Sequence, residues 1–537
     1  MVKAPWWRDG VIYQIYPRSF VDSNGDGIGD LRGIASRLDY LEWLGIDGIW
    51  LNPITVSPNH DWGYDVADYC NVDPDLGDLD ALDALVTAAA ARGIRVILDL
   101  VPNHTSDRHP WFLDARSARA AVHRDWYVWA DPRRDGSPPN NWRSVFGGPA
   151  WSLDERTGQF YLHNFLSSQP DLNWWKEDVR RAFDDILRFW FDRGIAGFRI
   201  DVAHAVVKDR HLRDDPVATE QDDESVRRFG LRQVYSMNRP EVHDVFRRWR
   251  RVADLYDPPA VLIGETWVFD PGALAAFYGS GRDELDLAFN FAFLLAPFEA
   301  AALGRIVAAS DAAIPPDGWP VWTLSNHDVI RFPTRWCGED DARVRCALLA
   351  LLTLRGTPVL YYGDEIGLPH TRLPFEALRD PESRRRWPEA GRDGARTPMH
   401  WSADPGAGFT DATVEPWLPL GDHARTNVGD QQSNSASTLS LCRDLIALRR
   451  EVADLTLGAY SPHPAADGVW AWRRGERGFV GVNLSERSAS IDAVKGVVRI
   501  ATRRARDGTR IDGSLRLEPW EGVVVLLDSE PSQRRRG

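Results

Sequence analysis

Charged and imidazole side chains stand at the ends of several apolar, β-rich runs of this sequence. Four such runs are followed, in chain order, by Asp99, Asn103 and His104; by Arg199, Asp201 and His204; by Glu265; and by Asn326, His327 and Asp328. A single Asp in such a place is often only the N-cap of the next helix. Carboxylates gathered at one point repel one another, a cost that stability alone would not select. The set as a whole therefore indicates a reaction site.

Two of these carboxylates, Asp201 and Glu265, are of the type that glycoside hydrolysis requires. One group must attack or stabilise the anomeric carbon, while the other gives its proton to the leaving oxygen. Arg199 precedes Asp201 by two residues, on the same side of a strand, and is expected to hold Asp201 ionised as a nucleophile. Glu265 follows the apolar run AVLIG beside Trp267, a partly desolvated setting that suits a general acid. No Gly-rich phosphate loop or GxSxG elbow competes with this interpretation.

The elements that must position these groups alternate regularly between strand and helix patterns. The eight strand-like runs are VIYQIYP from Val11, GIWLNP from Gly48, IRVILDLVP from Ile94, GFRID from Gly197, AVLIGET from Ala260, LDLAFNF from Leu285, VWTLSNHD from Val321 and PVLYYGDE from Pro358. Amphipathic stretches that end on a Gly lie between them, such as LDALVTAAAARG and VRRAFDDILRFWFDRG. This order predicts an α/β fold, a (β/α)₈ TIM barrel whose active site forms at the C-terminal ends of the strands.

Two stretches depart from the barrel pattern. The chain between Val101 and Gly197 is far longer than a crossover helix needs and is rich in Trp, Pro, Asn and Gly, which predicts a small inserted domain after the third strand. After a last helix at about 440–452, short alternating strands predict an all-β C-terminal domain. The predicted boundaries are 1–103 and 177–455 for the barrel, 104–176 for the inserted domain, 456–530 for a C-terminal β-sandwich and 531–537 for a disordered tail.

Composition limits the classes of function. A length of 537 residues predicts two or three domains, and a net charge of −14 disfavours binding to nucleic acids and to acidic membranes. The four cysteines include no CxxC pair, so we expect neither a disulfide framework nor a zinc site. The absence of a signal peptide and of a long apolar span predicts a cytoplasmic protein, a monomer or homodimer that acts on a small neutral substrate.

Ten motifs give the sequence a family resemblance. In chain order they are DSNGDGIGDL, GIDGIWLNP, GYDVADY, DLVPNHTS, QPDLNW, GFRIDVAH, GETW, SNHD, GTPVLYYGDE and ARTPMHW. Together they resemble the α-amylase superfamily, glycoside hydrolase family thirteen, in its α-glucosidase and oligo-1,6-glucosidase branch. The resemblance covers nearly the whole chain.

The resemblance implies roles for residues at the matching positions. Asp201 would be the nucleophile, Glu265 the acid/base, and Asp328 a third carboxylate that binds and distorts the sugar. A second group would bind the terminal glucosyl unit: Tyr64 by stacking, Phe146 and Phe165 as pocket lining, His104 and His327 through hydroxyls, Arg199 in support of the nucleophile, and Asp61 paired with Arg396 at the outermost hydroxyls. A pocket closed by that last pair implies exo-action.

A loop near the N-terminus has the composition of a cation site. The stretch DSNGDGIGD places oxygen-bearing residues at alternate positions with Gly27 at the turn, as in an EF-hand, but Gly33 stands where an EF-hand has its bidentate Glu. The resemblance implies a structural calcium or magnesium ion here, with no organic cofactor. Its ligands would be Asp22, Asn24, Asp26, the Ile28 carbonyl and Asp30. An Asx-rich turn without metal is the alternative.

The substrate within this branch stays open at the level of sequence. Val202, next to the nucleophile, resembles α-1,6-cleaving members, whereas Ala203 and His204 depart from them. The expected activity is that of a retaining exo-α-glucosidase acting on maltose, malto- or isomalto-oligosaccharides or sucrose, with transglucosylation as a variant. Trehalose-6-phosphate hydrolase and sucrose-acting, glucosyl-transferring relatives are the alternatives. A catalytically inactive binding homologue is disfavoured, because such members carry a transmembrane helix and have lost the catalytic residues.

Overall fold

The computed structural model describes residues 4–222, 224–389 and 391–528. The predicted tail 531–537 and the last two residues of the predicted C-terminal domain lie outside the described residues. Within the described ranges, no helix is long and apolar enough to cross a membrane.

All eight predicted barrel strands are confirmed. They are β1 (Ile12–Ile15), β2 (Gly48–Leu51), β3 (Arg95–Leu100), β4 (Gly197–Ile200), β5 (Val261–Gly264), β6 (Leu287–Ala288), β7 (Val321–Thr323) and β8 (Thr357–Tyr361). They form one parallel sheet in the order β6-β5-β4-β3-β2-β1-β8-β7. A parallel bridge between Phe289 and Val321 then brings β6 to β7 and nearly closes the barrel. Because helices cover the outer face, these strands are buried on both faces and read as continuous apolar runs.

Helices surround the barrel where the amphipathic patterns predict them. The barrel helices that follow β1 to β7 are, in chain order, Leu31–Ala35, Leu38–Leu44, Leu79–Ala91, Glu177–Phe191, Val242–Ala253, Pro271–Ala275, Phe291–Leu295, Ala300–Ala313, Phe332–Arg335 and Asp341–Thr353. The helix predicted at 440–452 spans Thr438–Glu451. Gly93 and Gly194 follow two of these helices with φ of 74° and 86°, the left-handed conformation that a helix-ending Gly adopts.

The inserted segment after β3 has its own small core. It holds a helix, Pro110–Ala115, and a three-stranded antiparallel sheet in the order Trp129–Ala130, Gln159–Leu162, Trp151–Asp154. Trp142, Trp151 and Phe160 are buried together in it. A short hairpin after β2, Thr55–Val56 with Asp68–Val72, lies at the same end of the barrel.

Two further long connections carry structure that the sequence patterns did not predict. Residues 201–241 follow β4 and contain the helix Glu224–Phe229, and residues 362–437 follow β8 and contain the helices Pro381–Arg386 and Val428–Gln432. Both leave the C-terminal ends of strands, so both lie at the active end of the barrel. The first packs against the inserted domain, since Trp142 Nε1 donates to the Arg213 carbonyl over 2.8 Å.

A buried cation joins the β4 connection to the inserted domain. Lys208 is 3% exposed, and its Nζ lies 2.8 Å from Oδ2 of the buried Asp171. Burial lowers the pKa of Lys208 from its ordinary value, while the charge of Asp171 opposes that shift. Asp171 Oδ1 accepts the backbone N–H of Asn164 over 3.0 Å, so the carboxylate is bound on both oxygens. The pair therefore fixes the inserted domain over the strand ends.

The C-terminal domain is all-β, as predicted, and its strands are hydrogen-bonded into one sheet. Six antiparallel strands lie in the order Tyr460–His463, Val469–Arg474, Gly478–Asn483, Glu521–Leu527, Ala489–Ala501, Arg510–Leu517. The bulges between Asp492 and Val494 and between Val498 and Ile500 interrupt the register of the longest strand. Bulges bend a sheet, and here strands far apart in the order share one apolar core. The alternation in the sequence predicts strands but does not distinguish one curved sheet from two.

The Lys208–Asp171 pair yields a stability prediction. Lys208→Met leaves a buried carboxylate without its cation and should lower the free energy of unfolding by about 3–5 kcal/mol. The double variant Lys208→Met/Asp171→Asn removes both charges and should lower the free energy of unfolding by less than Lys208→Met alone. Lys176→Met is the matched control, because Lys176 pairs with an exposed Asp125 and such pairs contribute about 1 kcal/mol or less. Chemical denaturation measures all three, and equal losses at Lys208 and Lys176 would contradict the assigned role.

Candidate active site

A pocket of about 460 Å³ opens at the C-terminal ends of the barrel strands. Nine of the twelve residues predicted for catalysis and substrate binding line it: Asp61, Tyr64, Phe146, Phe165, Asp201, Val202, Glu265, His327 and Asp328. The other three, His104, Arg199 and Arg396, are at most 1% exposed and bond to residues of the lining. The structure thus brings the predicted set together, with each role still to be tested.

Arg199 is the centre of the charged cluster. Its Nη1 lies 2.8 Å from Asp99 Oδ1 and 2.8 Å from Asp201 Oδ1, and its Nη2 lies 2.9 Å from Glu265 Oε2. Strand register explains the meeting, because Asp99 of β3 pairs with Arg199 of β4, and Arg199 pairs with Ile263 of β5, two residues before Glu265. One buried guanidinium therefore faces three buried carboxylates.

This ratio of charges affects the pKa of Asp201. Burial, together with the charge of Glu265, raises the pKa of Asp201 well above its ordinary value, and a side-chain hydrogen bond with Glu265 adds to the shift. Burial also raises the pKa of Asp99 to about 6. The Arg199 guanidinium opposes this rise, in the direction expected of a cation that keeps a nucleophile ionised, but it is shared among three carboxylates.

Three donors hold the Glu265 carboxylate. Oε2 accepts the Arg199 guanidinium and the backbone N–H of Val202, the latter over 2.8 Å, and Oε1 accepts Trp267 Nε1 over 2.9 Å. Val202 has φ 37° and ψ 48°, a left-handed conformation that is unusual for a β-branched residue and costs about 1–3 kcal/mol. That conformation turns its N–H toward Glu265 while its side chain lines the pocket.

His327 is neutral and its proton can be assigned. Gln14 Nε2 donates to His327 Nδ1 over 2.9 Å, so the hydrogen is on Nε2, which lies 2.6 Å from the Tyr64 hydroxyl and 3.2 Å from Asp328 Oδ2. Burial lowers the pKa of His327 well below its ordinary value. The Tyr64 ring lies parallel to the imidazole, with centroids 5.3 Å apart, and its hydroxyl donates to Asp99 over 2.9 Å. Tyr64 therefore connects the two sides of the pocket.

Asp328 has the opposite electrostatic setting to Asp201. Its Oδ1 lies 3.2 Å from Arg396 Nη2 and 3.5 Å from Arg392 Nη1. Burial alone would raise its pKa, but His327 and the two arginines lower the pKa of Asp328 to about 2. Asp328 is ionised at neutral pH.

The predicted pairing of Asp61 with Arg396 is wrong. Asp61 Oδ1 lies 2.7 Å from Arg392 Nη2, whereas Arg396 donates to the His327 carbonyl over 2.9 Å and to Asp328. The 3₁₀ turn Asp393–Ala395 separates the two arginines and sends Arg396 inward beneath Asp328. Both arginines belong to GRDGARTPMHW, and the motif does not tell which one reaches Asp61. Arg392 also bonds to Asp380, and its guanidinium lies over the Phe146 ring.

Gln169 is a site residue that sequence reasoning missed. Its Nε2 lies 2.9 Å from Asp61 Oδ2 and 3.1 Å from His104 Nε2. The same ring nitrogen of His104 lies 3.0 Å from the Tyr64 carbonyl oxygen. Gln169 is the first residue of the motif QPDLNW. The motif is part of the family resemblance, but it does not indicate what Gln169 contacts.

The predicted metal loop is closed by its own hydrogen bonds. Asp22 accepts the N–H groups of Gly25 and Gly27 over 2.7 and 2.9 Å, and Asp26 accepts that of Ile28 over 2.8 Å. Asp30 caps the helix Leu31–Ala35. The groups that would bind an ion here would all do so through oxygen atoms. Calcium and magnesium prefer oxygen ligands, so the chemistry of the loop fits such an ion. Across the described ranges, however, no group of three or more His, Cys, Asp or Glu side chains is arranged to hold a metal.

Comparisons with known proteins agree with the geometry. A family model described as the alpha-amylase catalytic domain matches residues 14–458. A protein of Rhizobium meliloti named "Probable alpha-glucosidase" is 42% identical, over 98% of this chain and 95% of its own. An oligo-1,6-glucosidase of Heyndrickxia coagulans is 38% identical, over 97% and 99%. The crystal structure of the alpha-glucosyl transfer enzyme XgtA superposes with a TM-score of 0.91 at 39% identity, over 98% and 100%.

Proposed function

The chain belongs to the α-amylase catalytic-domain family and is a glycoside hydrolase, and on that basis we propose that it is a retaining exo-α-glucosidase that acts on short α-glucosides. The observation that carries this proposal is the single buried cation, Arg199, shared by Asp99, Asp201 and Glu265 in a pocket. Retention needs two adjacent carboxyl groups, one that attacks and one that gives a proton, and the position of Asp201 and Glu265 on one shared cation supports these roles.

In the proposed reaction, Asp201 attacks the anomeric carbon while Glu265 gives its proton to the glycosidic oxygen. Arg199, whose Nη1 lies 2.8 Å from Asp201 Oδ1, would stabilise the charge of the attacking carboxylate. The C–O bond to the leaving group breaks as the bond to Asp201 forms, giving a β-glucosyl enzyme. Water then gives its proton to the Glu265 carboxylate and its oxygen to the anomeric carbon, which frees Asp201 and releases α-glucose.

Exo-action is supported by the end wall of the pocket. Asp61 and Arg392 form a buried ion pair there, and Gln169 holds the second oxygen of Asp61. Charge-assisted groups of this kind suit the outermost hydroxyls of a terminal glucose. Asp328, ionised and adjacent to neutral His327, would bind hydroxyls of the same unit.

The glucosyl enzyme can also react with a sugar or alcohol in place of water. This variant is supported by the similarity to a structure named as an alpha-glucosyl transfer enzyme. Val202, whose side chain lines the pocket beside the nucleophile, is the residue we propose to influence the preferred linkage.

Asp201→Asn tests the proposed nucleophile. The amide cannot attack, so kcat/KM on maltose or isomaltose should fall by about 10⁴-fold, with an unchanged thermal midpoint. Asp283→Asn, at an exposed carboxyl, is the control. Proton NMR of the first-formed product should show α-glucose; β-glucose, or near-normal turnover of Asp201→Asn, would overturn the proposal.

Substrates blocked at the non-reducing end test exo-action. Maltotriose and isomaltotriose should release glucose stepwise, whereas 4,6-O-blocked forms should not react. Arg392→Met should lower kcat/KM on the unblocked substrates by about 10- to 100-fold, because Asp61 loses a charged hydrogen-bond partner. A parallel panel of maltose, isomaltose, sucrose, trehalose and trehalose 6-phosphate assigns the linkage, and a clear preference for the phosphorylated sugar would favour the alternative hydrolase.

We also propose that the loop from Asp22 to Asp30 holds a structural calcium or magnesium ion. Removal by EDTA should lower the stability by about 2–3 kcal/mol relative to a metal concentration 100 times Kd. Asp26→Ala should abolish that difference while leaving glucose release at low temperature unchanged. Identical melting curves with and without chelator would favour the metal-free Asx turn.

A further inference from the structure

The sixth strand contributes none of the proposed catalytic groups, yet aromatic residues that follow it reach the site. Phe289 and Phe291 come directly after β6, and their rings stack almost parallel, at 2°, with centroids 5.7 Å apart. On one side Phe291 packs on Trp267, with centroids 4.3 Å apart. On the other side Phe289 packs on Trp50 of β2 at 5.7 Å. These four rings form a row inside the barrel, which we call the aromatic row.

Both ends of the aromatic row donate an indole N–H to a carboxylate of the site. Trp50 Nε1 donates to Asp99 Oδ2 over 3.3 Å, and Trp267 Nε1 donates to Glu265 Oε1 over 2.9 Å. The interior of the row is apolar and buried, so neither indole can change its angle without displacing a neighbouring ring.

The two oxygens of Glu265 are held differently. Oε2 accepts two donors, Arg199 Nη2 and the Val202 N–H, and both come from the β4 side. Among the described residues, Trp267 is the donor to Oε1. With Oε2 engaged twice, Oε1 is the oxygen that has a lone pair free for the transferable proton. The angle of the Trp267 indole therefore sets where that lone pair points.

We propose that Trp267, held in place by Phe291, is a positioning residue that aims the Glu265 proton at the glycosidic oxygen. This inference rests on the acid/base role proposed for Glu265. A rigid hydrogen bond from an indole restricts rotation of the carboxyl group, and proton transfer depends steeply on such geometry. Strand six thus takes part in the reaction through packing.

The test uses two leaving groups. A disaccharide needs its glycosidic oxygen protonated as the bond breaks, whereas α-glucosyl fluoride departs as fluoride with little help from an acid. Trp267→Phe keeps the ring and removes the N–H. We expect kcat/KM to fall by about 10- to 100-fold on isomaltose or maltose, the range for a hydrogen bond to a charged group, and by less than about 3-fold on α-glucosyl fluoride.

The pH profile gives a second readout. Trp267→Phe removes a hydrogen bond to the ionised carboxylate, so the alkaline limb of kcat/KM for the disaccharide should move to higher pH. If Trp267 only supported the fold or the shape of the pocket, Trp267→Phe would lower kcat/KM equally for both substrates and would leave the alkaline limb at the same pH.

A pair of Phe→Leu variants tests the support. Phe291→Leu keeps the Trp267 N–H but removes its packing partner, and should reproduce the selective loss on the disaccharide at a smaller size. Phe269→Leu is the matched control, since Phe269 is 40% exposed and touches Trp267 only edge-on at 6.5 Å. Thermal melting of each variant shows whether it folds, and α-glucosyl fluoride turnover shows whether the nucleophile still works.

The outcomes separate this inference from the proposed function. Glu265→Gln should lose disaccharide hydrolysis while it keeps glycosylation by α-glucosyl fluoride; equal losses on both would refute the acid role itself. If Glu265→Gln behaves as expected but Trp267→Phe lowers both substrates equally, or neither, Trp267 does not position the proton.

Discussion

The interaction on which the rest of the site depends is that of one buried guanidinium with three buried carboxylates. Arg199 reaches Asp99, Asp201 and Glu265 at 2.8 to 2.9 Å, and all four residues are buried. Transfer of a charge into such a site is costly unless it is paired, and one cation cannot neutralise three anions. Asp201 shows the effect of this ratio, because burial and the charge of Glu265 raise its pKa well above the ordinary value although Arg199 opposes the rise.

On the opposite wall of the pocket, one carboxylate lies near two cations. Asp328 faces two arginines, Arg392 and Arg396, and a neutral imidazole, so its pKa is lowered to about 2 and it carries a fixed charge. Asp61 is likewise paired, through Arg392. One side of the pocket therefore holds three carboxylates that share one cation, whereas on the other side two arginines face Asp328. Tyr64 connects the two, because its hydroxyl touches both His327 and Asp99.

The sequence predicts the rigid part of this site better than the part on loops. Asp99, Asp201 and Glu265 follow strands whose parallel register brings their ends together, so apolar runs and the residues after them predicted the meeting. Arg392 and Gln169 lie in long connections, where no periodicity relates position in the chain to position in space, and Arg396 was paired with Asp61 in error. The raised pKa of Asp201 is likewise not evident from the sequence, because it depends on how many carboxylates share Arg199, a number that only the assembled strands reveal.

The charged cluster lies on strands, whereas most of the pocket walls come from loops. The walls can therefore change while the charged cluster stays in place. The charged cluster lies on β3, β4 and the end of β5, supported by buried rings of the barrel interior, where a small displacement would disturb every pair at once. The walls that meet the substrate come from the inserted domain and from the connection after β8, which supply Phe146, Phe165 and Arg392. Such connections accept substitution more readily than strands do. Walls from these connections are thus built separately from the strand-end cluster and can change while the cluster stays in place, whereas Val202, which follows Asp201 and lines the pocket, belongs to both.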